Sequence, residues 1–427
     1  MNPLRPNLRP LAAFAALVLI AAGSAHAVAA VEYNAQGVAL YNEGRYLESV
    51  DVFVRAYDLR PNDSTIRRNL CNAYQAAAHE MAKRGGVRDF IAAAEMLEVA
   101  IGVDPGNPLP LVQLGSYYLR LDYNDDATFR LEEAVQLDPN NLDGRELLGN
   151  AYYKRNLLAR ALEQWRFVRE RQPGREGIDE KITKAEREAA VEGNFRETRT
   201  RNFEISFAPG TQGRDLRTVM SVLERAYRDV GTKLGRTFPP GPIQVTLYTA
   251  DDFHAATQLG AHIGAVWDGR IRIPHIDAKG NLLPDDRLEE LIYHEYTHEV
   301  VNFLAGSENV PWWVNEGLAE LLSTTIEPYE YAALDAAWRN GETLSYAQMN
   351  ANQLYALAPD QLGLAYLKSH ATMRYLWDRF GQRAVMQFMN DLGDTVPAEE
   401  ALRRSFRRTY AQLEGEVARE VANRAGH

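Results

Sequence analysis

The 427-residue sequence predicts a multidomain protein in two parts: an all-α solenoid of helical hairpins over residues 31–175, then an α+β domain over 201–427. Three observations predict it. Pro61, Pro105, Pro139 and Pro173 recur at spacings of 44, 34 and 34 residues. After Arg201 the apolar period changes from the helical 3.6 to the alternation of strands. Further on, His294 and His298 stand one helical turn apart beside an apolar stripe.

Composition bounds what these parts can do. Hydrophobic residues make up 46% and charged residues 25%, an ordinary globular balance that excludes collagen-like, wholly disordered and polytopic membrane chains. A net charge of -11 leaves no basic footprint for nucleic acid. The single cysteine, Cys71, excludes an intrachain disulfide framework and any cysteine-based zinc site. A metal would have to use histidine and carboxylate.

Residues 1–27 read as a signal peptide. Arg5 and Arg9 give a positive start, Leu11 to Ala22 is uninterruptedly apolar, and Ala25-His26-Ala27 suits signal peptidase. That apolar run is 12 residues, short of the ~20 a membrane-spanning helix needs. The expectation is export to a periplasm or the cell exterior, with cleavage near Ala27. No later stretch is long and apolar enough to span a bilayer.

Residues 31–175 repeat around the four prolines. Gly37, Gly115 and Gly149 each precede a proline by 24 residues. Small residues, Ser49, Ala93, Ala127 and Ala161, lie 12 before each; bulky ones, Phe53, Leu97, Leu131 and Trp165, lie 8 before. Ala56, Ala100, Ala134 and Val168 lie 5 before. Two antiparallel helices explain the pattern. Small residues mark their close approach, a bulky side chain fills the groove, and proline ends the second helix. One such pair cannot bury its apolar stripe, so pairs stack. Over 31–175 the pattern resembles four tetratricopeptide repeats. The second carries about ten extra residues around Ala82–Gly86, expected as an extended loop. Cys71 takes its glycine position and reads as a small buried hydrophobe; His79 reads as surface. Such a stack offers a groove for a peptide or partner helix, or serves as a scaffold for the next domain.

Residues 176–200 read as a linking or capping helix with Lys181, Lys184, Glu186 and Glu188 facing water. Phe203–Phe207 and Ile243–Tyr248 alternate as strands, with a helix between them on the stripe Leu216, Leu223, Ala226, Tyr227, Val230 and Leu234, stopped by Pro239-Pro240-Gly241-Pro242. Gly264–Ile273 reads as a hairpin or edge strand turning at Asp268-Gly269. Everything from Asp285 on is helical in pattern, and strands followed by helices argue an α+β domain.

The chemistry lies in His294-Glu295-Tyr296-Thr297-His298. Two histidines four apart on one helix face can hold one cation, and Glu295 can address a water beside it. Asp285 and Asp286 behind Pro284 mark the helix start. A catalytic zinc needs three protein ligands and an open position. Glu316 is the third candidate, 18 residues after His298, which is enough for a turn at Gly306-Ser307 and an antiparallel return beginning near Pro311. Glu320, on the same face, reads as the carboxylate that accepts the outer ring N–H of a ligand histidine.

His294-Glu295-x-x-His298 followed by Asn315-Glu316-Gly317-x-Ala319-Glu320 resembles the gluzincins, the peptidase MA-like zincins often joined to tetratricopeptide repeats. The resemblance implies that His294, His298 and Glu316 bind Zn2+ and that Glu295 is the general base. It implies a metal-activated water at a polypeptide carbonyl, with Glu295 passing its proton to the leaving amine. Tyr366 on a downstream helix is the candidate oxyanion donor, with His370 one turn later as the alternative. Gluzincin aminopeptidases carry a strand glutamate that binds the substrate's free amine. Gly264-Ala265-Val266-Trp267-Asp268 has none, which favours an endopeptidase whose edge strand pairs with the substrate. His254, His262 and His275 lack ligand spacing. The competing expectation is a repeat adaptor with an inactive protease-like domain.

Overall fold

The computed structural model describes residues 9–211, 213–259, 264–350 and 357–426, with the side chains of 9–25 also left out. Arg5, at the start of the expected signal peptide, and His262 lie outside the described residues. The chain divides into two compact units. The first is Met1–Arg84, Asp89–Tyr117 and Phe129–Asn141; the second is Gly85–Arg88, Tyr118–Thr128 and Leu142–His427.

The helical repeats are hairpins: α1 (Arg9–Asn42) with α2 (Tyr46–Leu59), α3 (Ser64–Ala82) with α4 (Val87–Val103), α5 (Pro108–Arg120) with α6 (Asn124–Leu137), and α7 (Leu142–Lys154) with α8 (Leu158–Arg171). Each second helix ends two residues before its proline, because the residue preceding proline is pushed out of the helical region. A Cβ on Gly37 would lie 2.7 Å from Phe53, one on Gly115 2.4 Å from Leu131, and one on Gly149 2.4 Å from Trp165. Only glycine lets those helices approach so closely, and the bulky residue of each repeat fills the space. The positions expected to be small, Ser49, Ala93, Ala127 and Ala161, are fully buried. Cys71 is buried too, and burial pushes its thiol up to about 11. His79 is exposed.

The expected extended loop in the second repeat is corrected. The extra residues lengthen α3 to 19 residues and α4 to 17, against 13 to 14 in α5 to α8, leaving only a short turn at Lys83–Gly86. Ala-rich sequence continues a helix more readily than it forms a loop. Among the described residues no helix is long and apolar enough to cross a membrane.

After α9 (Ile178–Glu192) come β1 (Arg196–Arg199), β2 (Phe203–Phe207), α10 (Gly213–Lys233), β3 (Ile243–Thr249), α11 (Ala250–Thr257), β4 (Val266–Trp267) and β5 (Ile271–Ile276). They form a five-stranded sheet in the order β1-β2-β3-β5-β4, parallel at β2–β3 and β3–β5 and antiparallel at both ends. Chain reversal after α10 precedes the proline cluster. Gly235 and Arg236, with φ of 73° and 64°, make the turn. One sheet face shares its core with α10 and with α12 (Asp285–Ala305): Ile205, Val245, Leu247, Ile271 and Ile273 meet Leu223, Ala226, Val230, Leu288 and Ile292. Among the remaining described residues the longer elements are helices: α13 (Trp312–Ser323), α14 (Pro328–Arg339), α15 (Pro359–Gly393), α16 (Ala398–Phe406) and α17 (Tyr410–Arg424).

Burial corrects one reading of α9. Glu188 is not on the water face; it is fully buried. Its carboxylate accepts from Arg270 at 2.6 Å, from Arg272 at 2.8 Å and from the Tyr153 hydroxyl at 2.8 Å. The alternation Arg270-Ile271-Arg272-Ile273 puts isoleucines into the apolar core and both arginines on the opposite face, against α9.

Candidate metal centre

Helix α12 carries the first cluster. Its N-terminal residue before the first turn is Pro284, which makes no side-chain cap, so Asp285 and Asp286 act through the helix dipole. Gly306, at φ 71°, ends it, and its N–H reaches back to the Asn302 carbonyl at 2.8 Å. A single turn, Ser307–Asn309, and Pro311 then start α13 in the return direction.

The return brings three side chains together. Ligand atoms of His294, His298 and Glu316 lie within 4.8 Å of one another. Glu316 Oε2 is 3.4 Å from His294 Nε2 and 3.5 Å from His298 Nε2. These are long for hydrogen bonds. They match the ~3.3 Å edge of a tetrahedron whose ligands sit ~2.05 Å from a central zinc. A His-His-carboxylate set with this spacing fits such an ion.

The outer ring nitrogens are held separately. His298 Nδ1 donates to Asn315 Oδ1 at 2.9 Å, which leaves Nε2 free to face the centre. His294 Nδ1 faces Glu320 Oε1 at 3.4 Å. Gly317 explains how a third helix comes so near. A Cβ there would lie 2.5 Å from the Ser369 carbonyl oxygen of α15. That approach brings His370 Nδ1 to 4.0 Å from Glu320. Tyr366, one turn earlier, packs edge-on to Trp312 with ring centroids 4.9 Å apart.

Charge follows from this packing. Burial works against protonation of His298, but the Glu316 carboxylate outweighs it and lifts the ring to about 9. Burial would raise Glu316, and the two histidines instead hold it well below the usual carboxylate range. Glu295, 5% exposed, is pushed up by burial, while both histidines and the Trp267 main chain favour its charged form. Burial and nearby Arg374 and His294 drive His370 down to about 3, so it is neutral. A buried carboxylate of raised basicity beside a cation site can take and return a proton.

His254 and His275 stand apart. His275 is fully buried, with its ring between the Tyr248 carbonyl at 2.9 Å and Thr211 Oγ1 at 3.4 Å. His254 bonds the Leu259 carbonyl at 3.0 Å. Sequence reasoning gave Asn315 and Gly317 no role. The signal was their place beside Glu316, on the face of α13 that meets α12 and α15.

The family model described as Peptidase MA superfamily matches residues 286–420. No curated protein matches the sequence. Among solved structures, the chain is similar to YrrB, a TPR protein described as having an unusual peptide-binding site (22% identity, 39% of this chain, 78% of that one, TM-score 0.31). Others are MamA from Desulfovibrio magneticus RS-1 (22%, 33% and 74%, 0.26) and TTC0263, a thermophilic TPR protein of Thermus thermophilus (23%, 37% and 98%, 0.23).

Proposed function

We propose that the protein is a zinc-dependent endopeptidase exported to a periplasm or the cell exterior, a reading supported by the match of residues 286–420 to the Peptidase MA superfamily. The observation that carries the reading is the convergence of His294, His298 and Glu316, whose ligand atoms lie within 4.8 Å of one another, with Glu316 Oε2 3.4 Å and 3.5 Å from the two imidazole Nε2 atoms. Bound there, zinc would supply Lewis acidity to a substrate carbonyl and acidity to a water.

The chain's own groups would do the rest. Glu295 takes the proton from the attacking water and returns it to the leaving amine. Asn315 and Glu320 keep the two imidazoles turned toward the centre. Tyr366 donates to the oxygen that becomes negative, with neutral His370 as the competing donor. The edge strand β4 lacks a glutamate for a free amine, which supports cleavage within a chain. The repeats would dock the polypeptide substrate or a protein partner.

Three experiments test this. Purified protein should cleave unfolded casein internally, and Glu295→Gln should keep its zinc while losing about 10²–10⁴-fold in kcat. Comparing Tyr366→Phe with His370→Asn assigns the oxyanion donor: the larger kcat loss marks it. Export requires the mature chain to start near Val28 when its N-terminus is sequenced from the envelope fraction. Zinc binding without cleavage of any unfolded protein would favour the adaptor alternative.

A further inference from the structure

The Trp267 main-chain N–H takes no part in the sheet's own hydrogen bonding. Trp267 ends β4, the two-residue strand at one end of the sheet. The register pairs Val266 with Arg272 and Trp267 with Ile271, and the Asp268 N–H donates to the Arg270 carbonyl at 3.3 Å. Bonded and non-bonded pairs alternate in an antiparallel ladder, so Val266 and Asp268 bond inward and the Trp267 N–H turns away from β5. There it meets the proposed general base, and the Glu295 carboxylate accepts it. Glu295 is only 5% exposed, and a carboxylate buried that far needs such a donor.

Two residues of strand fix that donor poorly, and α12 itself supplies the second hold. The Trp267 indole Nε1–H donates to Glu299 Oε2 at 2.7 Å. Glu295 and Glu299 are i and i+4 on α12, so they stand one turn apart on the same helix face. One residue of the strand thus engages both carboxylates, Glu295 by its main chain and Glu299 by its side chain. The two bonds and the helical turn between them close a ring, which opposes any slip of Trp267 along α12. Glu299 is only 6% exposed, and an apolar residue would fill such a place at lower cost. Burial and nearby Asp122 work against its charge, while the indole N–H and Lys154 favour it.

We propose that Glu299 is a positioning residue for the general base: it holds the Trp267 indole, and Trp267 in turn holds the Glu295 carboxylate through its main-chain N–H. This rests on the endopeptidase reading and deepens it by naming what orients the base. The Trp267 N–H is engaged inside the protein, so Glu299 acts on the chemical step and not on substrate affinity. Freed from that N–H, the Glu295 carboxylate turns about its broad terminal torsion. Misplacing a reacting group by about 1 Å costs about a hundredfold in rate.

The test uses full-length zinc-loaded protein, with zinc content and thermal midpoint measured on every variant. Cleavage of casein peptides gives kcat and KM. Glu299→Leu and Trp267→Phe should each lower kcat at least about tenfold, with KM within about twofold and zinc retained. Glu299→Gln should keep kcat within about threefold of wild type, because its side-chain carbonyl still accepts the indole N–H, less strongly than a carboxylate. The double variant Glu299→Leu/Trp267→Phe should be no slower than the slower single, since both cut the same link. A second readout does not depend on cleavage: isotope labelling of the tryptophans follows the Trp267 main-chain amide by nuclear magnetic resonance. Glu295→Ala should shift that resonance, Glu299→Leu should shift it in the same direction, and Glu299→Gln should leave it in place. An unmoved amide or an unchanged kcat in Glu299→Leu would overturn the proposal. So would a loss confined to KM, multiplied losses in the double variant, or losses that track zinc or stability. A wild type that cleaves nothing but shows the Glu299-dependent amide shift would sink the endopeptidase reading and leave the link from Glu299 to Glu295 standing.

Discussion

At His298 the proposed ligand role depends on a neighbour that touches no metal. Asn315 Oδ1 takes the Nδ1 proton at 2.9 Å and so fixes which nitrogen faces Glu316. Replacing Asn315 with Ala frees the ring to rotate and leaves a buried N–H without that acceptor. Zinc affinity should fall about 10–100-fold, measured by competition with a chelating dye, while circular dichroism stays unchanged. Unchanged affinity would mean the ring is held by packing alone. His294, Glu295, His298, Glu316 and Glu320 were legible in sequence because a helix converts spacing into direction. Asn315 was not, because its partner is set by how α13 returns along α12. Gly317 was unread for the same reason: its need appears only where the Ser369 carbonyl of α15 comes within 2.5 Å of a would-be Cβ.

The linking helix shows where sequence patterning misleads at the scale of an element. Charge along α9 reads as a solvated face, and Arg-Ile-Arg-Ile in β5 reads as a strand with one wet side. Each is the cover of the other. Glu188 lies between Arg270 and Arg272, all nearly devoid of exposure. No periodicity reveals that two polar faces meet. Removing one partner of such a buried group leaves uncompensated charge, so Glu188→Ala should cost about 3–5 kcal/mol of stability by urea unfolding. Acid should act on the same network. Burial works against the charge on Asp268, but Arg272 and Lys184 hold it down to about 2, below its ordinary 3.8. Its contribution is fully present above the ordinary value and is lost as pH falls through about 2, amounting to about 2 kcal/mol. Urea midpoints followed from pH 5 to pH 2 should show that loss in the wild type. In Asp268→Asn the loss should be smaller by about that amount.

For the whole molecule, the repeats and the proposed catalytic domain are not separable at the boundary that sequence suggests. Repeat spacing and strand alternation place that boundary near Arg201. The compact unit that holds α12 also contains α7, α8, α9 and the segment Tyr118–Thr128. Tyr153, Asn156, Glu188 and Glu192 all partner the arginines of β5. A fragment starting at Arg201 would bury two guanidinium groups stripped of those partners. It should be insoluble or fail to unfold cooperatively, whereas one starting at Tyr118 should melt in a single transition. Cooperative melting of the shorter fragment would show the network to be dispensable.

Everything functional depends on His294, His298 and Glu316 forming one metal site, and metal content read by inductively coupled plasma mass spectrometry tests that most directly. The wild type should hold one zinc per chain, kept in Glu295→Gln and lost in His298→Ala and in Glu316→Ala, with all four proteins folded. A folded wild type without metal after zinc reconstitution would contradict it, as would zinc that persists in the ligand variants.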